Sequence, residues 1–201
     1  MGYYIRVLGI EPEQPELEYL RDRLAESESN AILRLETNTD KNWEQLVLTH
    51  PNGPEIAVVE FNPVISGELG EEELREFIED VDTYKPLSAA LWLKEYLPRV
   101  KAIYAFQLLS GTDVNDGWDA VHALQGAIWT KAGGILQADS EGFSNEDGYH
   151  ILWQFGDGAT GRWSMAVLEG ERWIAFEMDL GNAEHRRTFM DGRVPSGARL
   201  L

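Results

Sequence analysis

Apolar and polar residues alternate in several short stretches of the chain, and a period of two is that of a β-strand. The stretches Tyr3–Gly9 and Arg172–Asp179 are also rich in aromatic and β-branched residues. The same pattern predicts strands over residues 31–36, 43–50, 55–62, 101–110, 135–139, 150–155 and 162–168. Asn52-Gly53 separates two of these strands and predicts a tight hairpin, because both residue types tolerate a positive φ. Residues 37–42 form a predicted polar loop.

Other stretches place their apolar residues three or four positions apart, as an amphipathic helix does. Leu17, Leu20 and Leu24 follow this spacing, with charged residues between them. The pattern predicts helices over residues 16–26, 70–82, 86–97, 115–131 and 182–190. Helices and strands therefore alternate irregularly, with several consecutive strands in each half of the chain.

The sequence of residues 31–63 resembles that of residues 150–182. Matching pairs are Ile32 with Ile151, Leu33 with Leu152, Trp43 with Trp163 and Leu48 with Leu168. The offset stays at roughly 120 positions, and a steady long offset indicates an internal duplication. The sequence thus predicts two halves, residues 1–98 and 99–201, each with a strand, a helix, an antiparallel meander and a helix. Such halves make an α+β fold with a mostly antiparallel sheet and helices on one side.

The two halves differ most at residues 132–149, an insert dense in Gly, Asp, Glu and Asn. Its carboxylates are ligands that hard cations prefer, but their spacing does not fit an EF-hand loop, so no metal site is predicted. His150 directly follows the insert, and Glu146 or Asp147 would orient it as a general base. These three residues are the catalytic candidates. The simpler interpretation is a solvated acidic loop beside a histidine bonded to backbone.

Residues 156–161 match the pattern G-x-G-x-x-G of dinucleotide-binding sites. A strand is predicted before the motif, as such a site requires. The following stretch is a second strand, whereas the site needs a helix whose N-terminus holds the pyrophosphate. The motif therefore predicts a hairpin loop.

Polar residues interrupt the otherwise apolar strands of the second half. Side chains alternate between the two faces of the predicted strand Arg172–Asp179, so Trp173 and Glu177 share one face and Phe176 lies on the other. Gln107 and Gln154 interrupt two further strands. A sheet face that carries these four candidates would have the apolar walls and few polar groups of a ligand site. The alternative is the solvated face of an antiparallel sheet, which is normally polar.

Composition limits the class of protein. The chain has 201 residues, of which 43% are hydrophobic, so it is long enough to bury a sizeable core. The absence of cysteine excludes disulfides and thiol catalysis. No apolar run reaches the ~20 residues of a membrane span, and no basic head precedes an apolar run at the N-terminus. We therefore expect a soluble, cytoplasmic protein.

Charge narrows the range of partners. Asp and Glu number 35 against 17 Lys and Arg, which gives a formal net charge of −18. Such a field repels nucleic acid and anionic lipid, so neither partner is predicted. It would complement a basic protein partner, although a generic solvated surface also explains it.

Two functions are compatible with these patterns. The favoured one is a non-catalytic binding protein, whose acidic surface meets a basic protein or whose sheet face meets a small ligand. A toxin-immunity protein is one version of it. The alternative is a metal-assisted or His/carboxylate hydrolase that uses residues 139–150. No cofactor is predicted, and an enzyme is the less favoured of the two.

Overall fold

The computed structural model describes residues 2–36 and 42–201, so most of the predicted loop 37–42 lies outside the described residues. The helices are α1 (Leu17–Ala25), α2 (Leu69–Asp80), α3 (Leu87–Tyr96), α4 (Gly117–Ala132) and α5 (Ala183–Met190). The first five strands are β1 (Tyr3–Gly9), β2 (Ile32–Leu35), β3 (Gln45–Thr49), β4 (Glu55–Pro63) and β5 (Ala102–Leu108). The remaining strands are β6 (Ile135–Ala138), β7 (Gly142–Ser144), β8 (Arg162–Glu169), β9 (Arg172–Asp179) and β10 (Arg199–Leu200). The α+β class with mostly antiparallel strand pairing is confirmed.

The chain divides into two compact units, each assembled from two separate stretches. Unit 1 comprises Met1–Glu71 and Val100–Gly134, and unit 2 comprises Glu72–Arg99 and Ile135–Leu201. These bounds do not coincide with the predicted halves 1–98 and 99–201. The internal duplication stays a prediction, because the similarity between residues 31–63 and 150–182 is one of sequence alone.

Unit 1 is built on an antiparallel sheet in the order β2-β3-β4-β5-β1. Val7, Tyr104 and Phe61 lie side by side across β1, β5 and β4, so their side chains project from the same face. The chain order of the strands is not their spatial order, since β5 pairs with both β4 and β1. The segment after residue 99 thus supplies a central strand of this unit.

Helices α1 and α4 pack against each other, and α4 contacts β1 and β4. A Cβ on Gly9 would come within 2.9 Å of the Ala132 Cβ, so β1 approaches the end of α4 closely. Helix α4 ends where Gly133 and Gly134 both take a positive φ. A Cβ on Gly134 would lie 1.9 Å from the Leu8 carbonyl oxygen, so this turn requires glycine for space as well as for conformation.

Unit 2 contains the hairpin β6–β7 and a smaller antiparallel sheet in the order β10-β9-β8. The predicted alternation in β9 agrees with the packing, since Ile174, Phe176 and Met178 belong to one apolar cluster. Phe189 of α5 belongs to the same cluster. Helix α5 begins as expected at Asn182, whose side-chain oxygen accepts hydrogen bonds from the next turn.

Two local predictions differ from the structure. The pattern predicts a strand over residues 150–155, but this segment makes isolated bridges instead: His150 bridges to Ser144 and to Met165, and Trp153 bridges to Lys85. Ile151 and Leu152 are fully buried in this irregular segment, so burial of a loop explains the apolar run. The acidic insert, residues 132–149, contains the whole β6–β7 hairpin: β6 falls within the predicted strand 135–139, whereas β7 lies in a stretch predicted as a loop.

Candidate binding groove

Unit 1 carries an open groove with a volume of about 1570 Å³. The segment that leads into α1, the end of β4 and the start of α2 form its walls, and Asn42 to Gln45 complete it. We call this surface the acidic groove. Three stretches that are distant in sequence meet there, all within unit 1.

Hydrogen bonds fix the segment before α1 to Trp43. The Trp43 indole nitrogen donates to the Pro15 carbonyl oxygen at 3.0 Å. The Gln14 side chain accepts from the Trp43 backbone N–H at 3.2 Å and donates to the Trp43 carbonyl oxygen. Pro12 and Pro15 have no backbone N–H to satisfy, which suits an irregular wall held by side chains. The wall is therefore held by specific bonds to one buried tryptophan.

Three aromatic rings of unit 1 pack against one another, and two of them line the groove. The Phe61 ring centroid is 5.2 Å from that of Tyr104 and 5.9 Å from that of Trp43. Trp43 and Phe61 line the groove, and Phe61 is partly exposed there. Tyr104 is fully buried, and its burial raises the pKa of the phenol well above its ordinary value. Its hydroxyl has no hydrogen-bond partner among the described residues.

Negative charge dominates the rim of the acidic groove. The carboxylates that line it are Glu13, Glu16, Glu18, Asp22, Glu44, Glu60 and Glu68. Arg21 is the basic residue in the lining that offsets them. Seven carboxylates against one guanidinium leave a concentrated negative field in a concave surface.

Apolar side chains are exposed inside the same groove. Ile65 and Leu69 retain 54% and 58% of their surface exposed, and both belong to the lining. Ile65 lies in the turn between β4 and α2, and Leu69 is the first residue of α2. Exposed apolar side chains among polar groups in a concave surface favour an interaction site.

A second polar cluster in unit 1 connects three loops. The His50 Nε2 donates to the Gly111 carbonyl oxygen at 2.9 Å, and its Nδ1 lies 3.6 Å from the Asp116 carboxylate. The hydrogen bond from the Asn30 backbone N–H, at 2.8 Å, lowers the pKa of Asp116. The arrangement joins the β3–β4 hairpin to the loop before α4 through the Gly111 carbonyl group and the Asp116 carboxylate.

The predicted sheet-face residues are divided between the two units. Gln107 lies on β5 in unit 1, whereas Gln154, Trp173 and Glu177 lie in unit 2. The Glu177 carboxylate accepts from Arg162 at 2.9 Å across the β8–β9 pair. The Trp173 ring packs edge-on against Trp92 of α3, at 5.2 Å between centroids. Glu177 and Trp173 do share one face of β9, as alternation predicts.

The catalytic candidates lie on the β7 hairpin and the irregular segment after it. His150 is 3% exposed, and burial lowers its pKa to about 4, so the imidazole is neutral at pH 7. Its ring lies 4.8 Å from Phe155 between centroids. Glu146 accepts a hydrogen bond from the Tyr96 hydroxyl at 2.8 Å. The Asp147 backbone N–H donates to the Asn145 side chain.

Within residues 2–36 and 42–201, no group of three or more acidic or histidine side chains is placed to hold a metal ion. Every helix in the described part is too short or too polar to cross a bilayer. Comparison of the chain with protein-family models, curated proteins and solved structures finds no match.

The groove was not predicted, although part of its signal is present in the sequence. Five acids stand between residues 11 and 22, around the apolar stripe of α1. Ile65 and Leu69 flank a Gly-containing turn where polar residues are usual. Neither pattern reveals that these segments meet, because their proximity depends on the end of β4 and on Trp43.

Proposed function

We propose that the protein is a non-catalytic binding protein and that the acidic groove of unit 1 receives a basic, partly apolar segment of a protein partner. The observation that carries this proposal is the combination of seven carboxylates with exposed Ile65 and Leu69 in one concave surface. Each feature by itself has a simpler explanation. Together, the carboxylates and the exposed apolar side chains complement a segment that carries both basic and apolar residues.

The size of the groove favours a polypeptide over a small molecule. Pockets for small ligands usually enclose about 300–1,000 Å³, and the acidic groove holds about 1570 Å³. It is also open on one side, as a site for a segment of a folded partner must be. Size thus supports the protein-partner version of the binding hypothesis over the small-ligand version.

Charge supplies the complementarity. The groove carboxylates belong to a chain of net charge −18, so the local field is reinforced at long range. The negative field would steer lysine and arginine side chains of a partner into the groove, and their pairing with the carboxylates would fix the position of the partner segment along it. Ile65 and Leu69 would contact apolar residues of the same segment, because burial of apolar surface favours association. Neutralisation of a basic toxin by an immunity protein is one form of such binding.

The hydrolase alternative receives less support from the geometry. A general base has to come within hydrogen-bond reach of its substrate, and His150 is 97% buried, beside the Phe155 and Trp163 rings. The Glu146 carboxylate bonds to Tyr96. No observation favours hydrolysis over binding.

A labelled amphipathic peptide of leucine and lysine tests the proposal by fluorescence anisotropy. One triple variant, Glu13→Gln, Glu16→Gln and Glu68→Gln, removes three groove charges. The control triple variant, Glu79→Gln, Glu171→Gln and Glu184→Gln, removes three exposed charges from unit 2 and leaves the same net charge.

Each exposed carboxylate contributes roughly 0.5 kcal/mol, so the groove variant should bind about tenfold more weakly. The control variant should bind as the wild type does, apart from a small loss from the lower net charge. Equal weakening by both variants, or no binding of the peptide to the wild type, would contradict the proposal.

A further inference from the structure

The turn between β3 and β4 carries Asn52-Gly53, and no other asparagine in the sequence precedes a glycine. The turn closes through the Gly53 backbone N–H, which donates to the His50 carbonyl oxygen at 3.2 Å. Pro51 is the second residue of the turn, and Asn52 is the third, with a φ of +56°. A positive φ at the third position is typical of a type II turn, which favours glycine or asparagine there. Residues 51–54 are exposed, so water reaches this turn.

An asparagine before a glycine is open to attack by the chain itself, and asparagine is among the residues that limit thermal stability chemically. The deprotonated Gly53 nitrogen is the nucleophile, and glycine has no Cβ that would shield it. A bond forms between this nitrogen and Cγ of Asn52, the Cγ–Nδ2 bond breaks, and ammonia leaves. Water then opens the resulting five-membered succinimide at one of its two carbonyl groups, which gives aspartate or isoaspartate. Neither step needs an oxidant, a reductant or a cofactor.

The folded turn opposes this reaction. The proton that the Gly53 nitrogen has to lose takes part in the hydrogen bond to the His50 carbonyl oxygen. His50 is itself held in place: it is 7% exposed, its Nε2 donates to the Gly111 carbonyl oxygen at 2.9 Å, and its backbone N–H donates to the Pro54 carbonyl oxygen at 3.2 Å. The tip of the turn is therefore exposed while its base is fixed, and attack requires a local opening of the turn.

We propose that Asn52 is a site of spontaneous deamidation and that opening of the turn over residues 50–53 controls its rate. The site is separate from the acidic groove, because the groove-lining residues Gln45 and Glu60 pair at the opposite end of β3 and β4. It therefore does not depend on the proposed function. Either product adds a negative charge to the turn, and isoaspartate also adds a methylene group to its main chain.

The test is incubation of the full-length protein at mildly alkaline pH, with and without concentrated urea, followed by peptide mapping by mass spectrometry. In urea, Asn52 should be the first asparagine to react, with a gain of about 1 Da, because an amide becomes a carboxyl group. In buffer alone, the rate at Asn52 should be at least about tenfold lower, as expected for a turn whose opening costs about 1.4 kcal/mol. Equal rates under the two conditions would overturn control by the turn. If Asn52 did not react in urea, the site itself would be refuted.

Two controls examine the nucleophile in urea, where the effect of a substitution on folding does not matter. Asn182 precedes Ala183 in the same chain and should react more slowly than Asn52, because the alanine Cβ shields the attacking nitrogen. Gly53→Ala places the same shield beside Asn52 and should slow its reaction to the rate of Asn182. A Gly53→Ala chain that deamidates at residue 52 as fast as the wild type would show that the Gly53 nitrogen is not the attacking group.

Discussion

His150 illustrates at the residue scale how burial changes the chemistry of a side chain. Its sequence context, beside Glu146 and Asp147, suggests a general base with an acidic partner. In the folded chain it is enclosed by Phe155 and Trp163, and its pKa falls from 6.5 to about 4. A histidine that stays neutral in the folded state and titrates in the unfolded state makes stability depend on pH.

The sign of this dependence follows from the direction of the pKa shift. Between about pH 6.5 and pH 4 the unfolded state binds a proton at this residue and the folded state does not. The contribution of His150 is therefore complete above pH 6.5 and is lost as the pH falls toward 4, by up to about 3 kcal/mol. Urea unfolding of His150→Leu should show a shallower fall in the free energy of unfolding over this range.

Exposed His122 provides the control for that measurement. The free energy of unfolding of His122→Gln should fall as steeply with pH as that of the wild type, because both proteins retain the buried imidazole of His150. Carboxylates titrate in the same range, but they do so equally in all three proteins. If the free energies of unfolding of the wild type and His150→Leu fell in parallel as the pH is lowered, the pH dependence could not be assigned to His150.

At the scale of secondary structure elements, the end of α4 depends on Gly134. Its φ is +89°, and an added Cβ would lie 1.9 Å from the Leu8 carbonyl oxygen. Gly134→Ala thus combines an unfavourable backbone conformation with a backbone clash, and should lower the free energy of unfolding by about 2–4 kcal/mol. Gly158→Ala is the matched control, because nothing lies within 4 Å of its added Cβ. Comparable loss in both variants, measured by thermal unfolding, would refute this account.

The elements that sequence patterns predict best are those with one buried face. Strand β1 is found at its predicted bounds, and the alternation in β9 places Phe176 in the core as expected. The apolar run at Ile151 and Leu152 misled the prediction, since a buried loop has the same composition as a buried strand. The acidic groove could not be predicted at all. Its charge density is visible in the sequence, but the meeting of three segments around Trp43 depends on tertiary structure.

At the scale of the whole molecule, the two compact units interleave along the chain. Unit 1 takes β5 and α4 from the stretch Val100–Gly134, and β5 pairs with both β4 and β1. A fragment of residues 1–98 lacks that strand and leaves two long edges unpaired. It should show no cooperative unfolding transition by circular dichroism. A fragment of residues 1–134 contains all of unit 1 and should show one.

This comparison also tests the predicted halves. If residues 1–98 were an independent half, they would unfold cooperatively without β5. Such a result would contradict the interleaved arrangement and favour the halves that the sequence echo predicts.

Net charge acts on the molecule as a whole. With 35 acids against 17 bases, repulsion among carboxylates opposes the compact state. Added salt screens this repulsion at distances beyond about 10 Å. The melting temperature of the free protein should therefore rise between about 20 mM and 300 mM sodium chloride at pH 7. A melting temperature that falls over this range would show that short-range ion pairs dominate instead.

Salt should act with the opposite sign on the complex with the leucine–lysine peptide. The attraction between lysines and the acidic groove is screened by the same ions that stabilise the free protein. The association constant should thus fall with salt while the melting temperature rises, which separates weakened binding from loss of fold. The groove variant with Glu13, Glu16 and Glu68 changed to Gln should show a smaller salt dependence of binding. The unit 2 control variant has the same net charge as the groove variant, and its association constant should depend on salt as that of the wild type does. If the association constants of the two variants depended equally on salt, the attraction would come from the overall charge of the protein rather than from the groove.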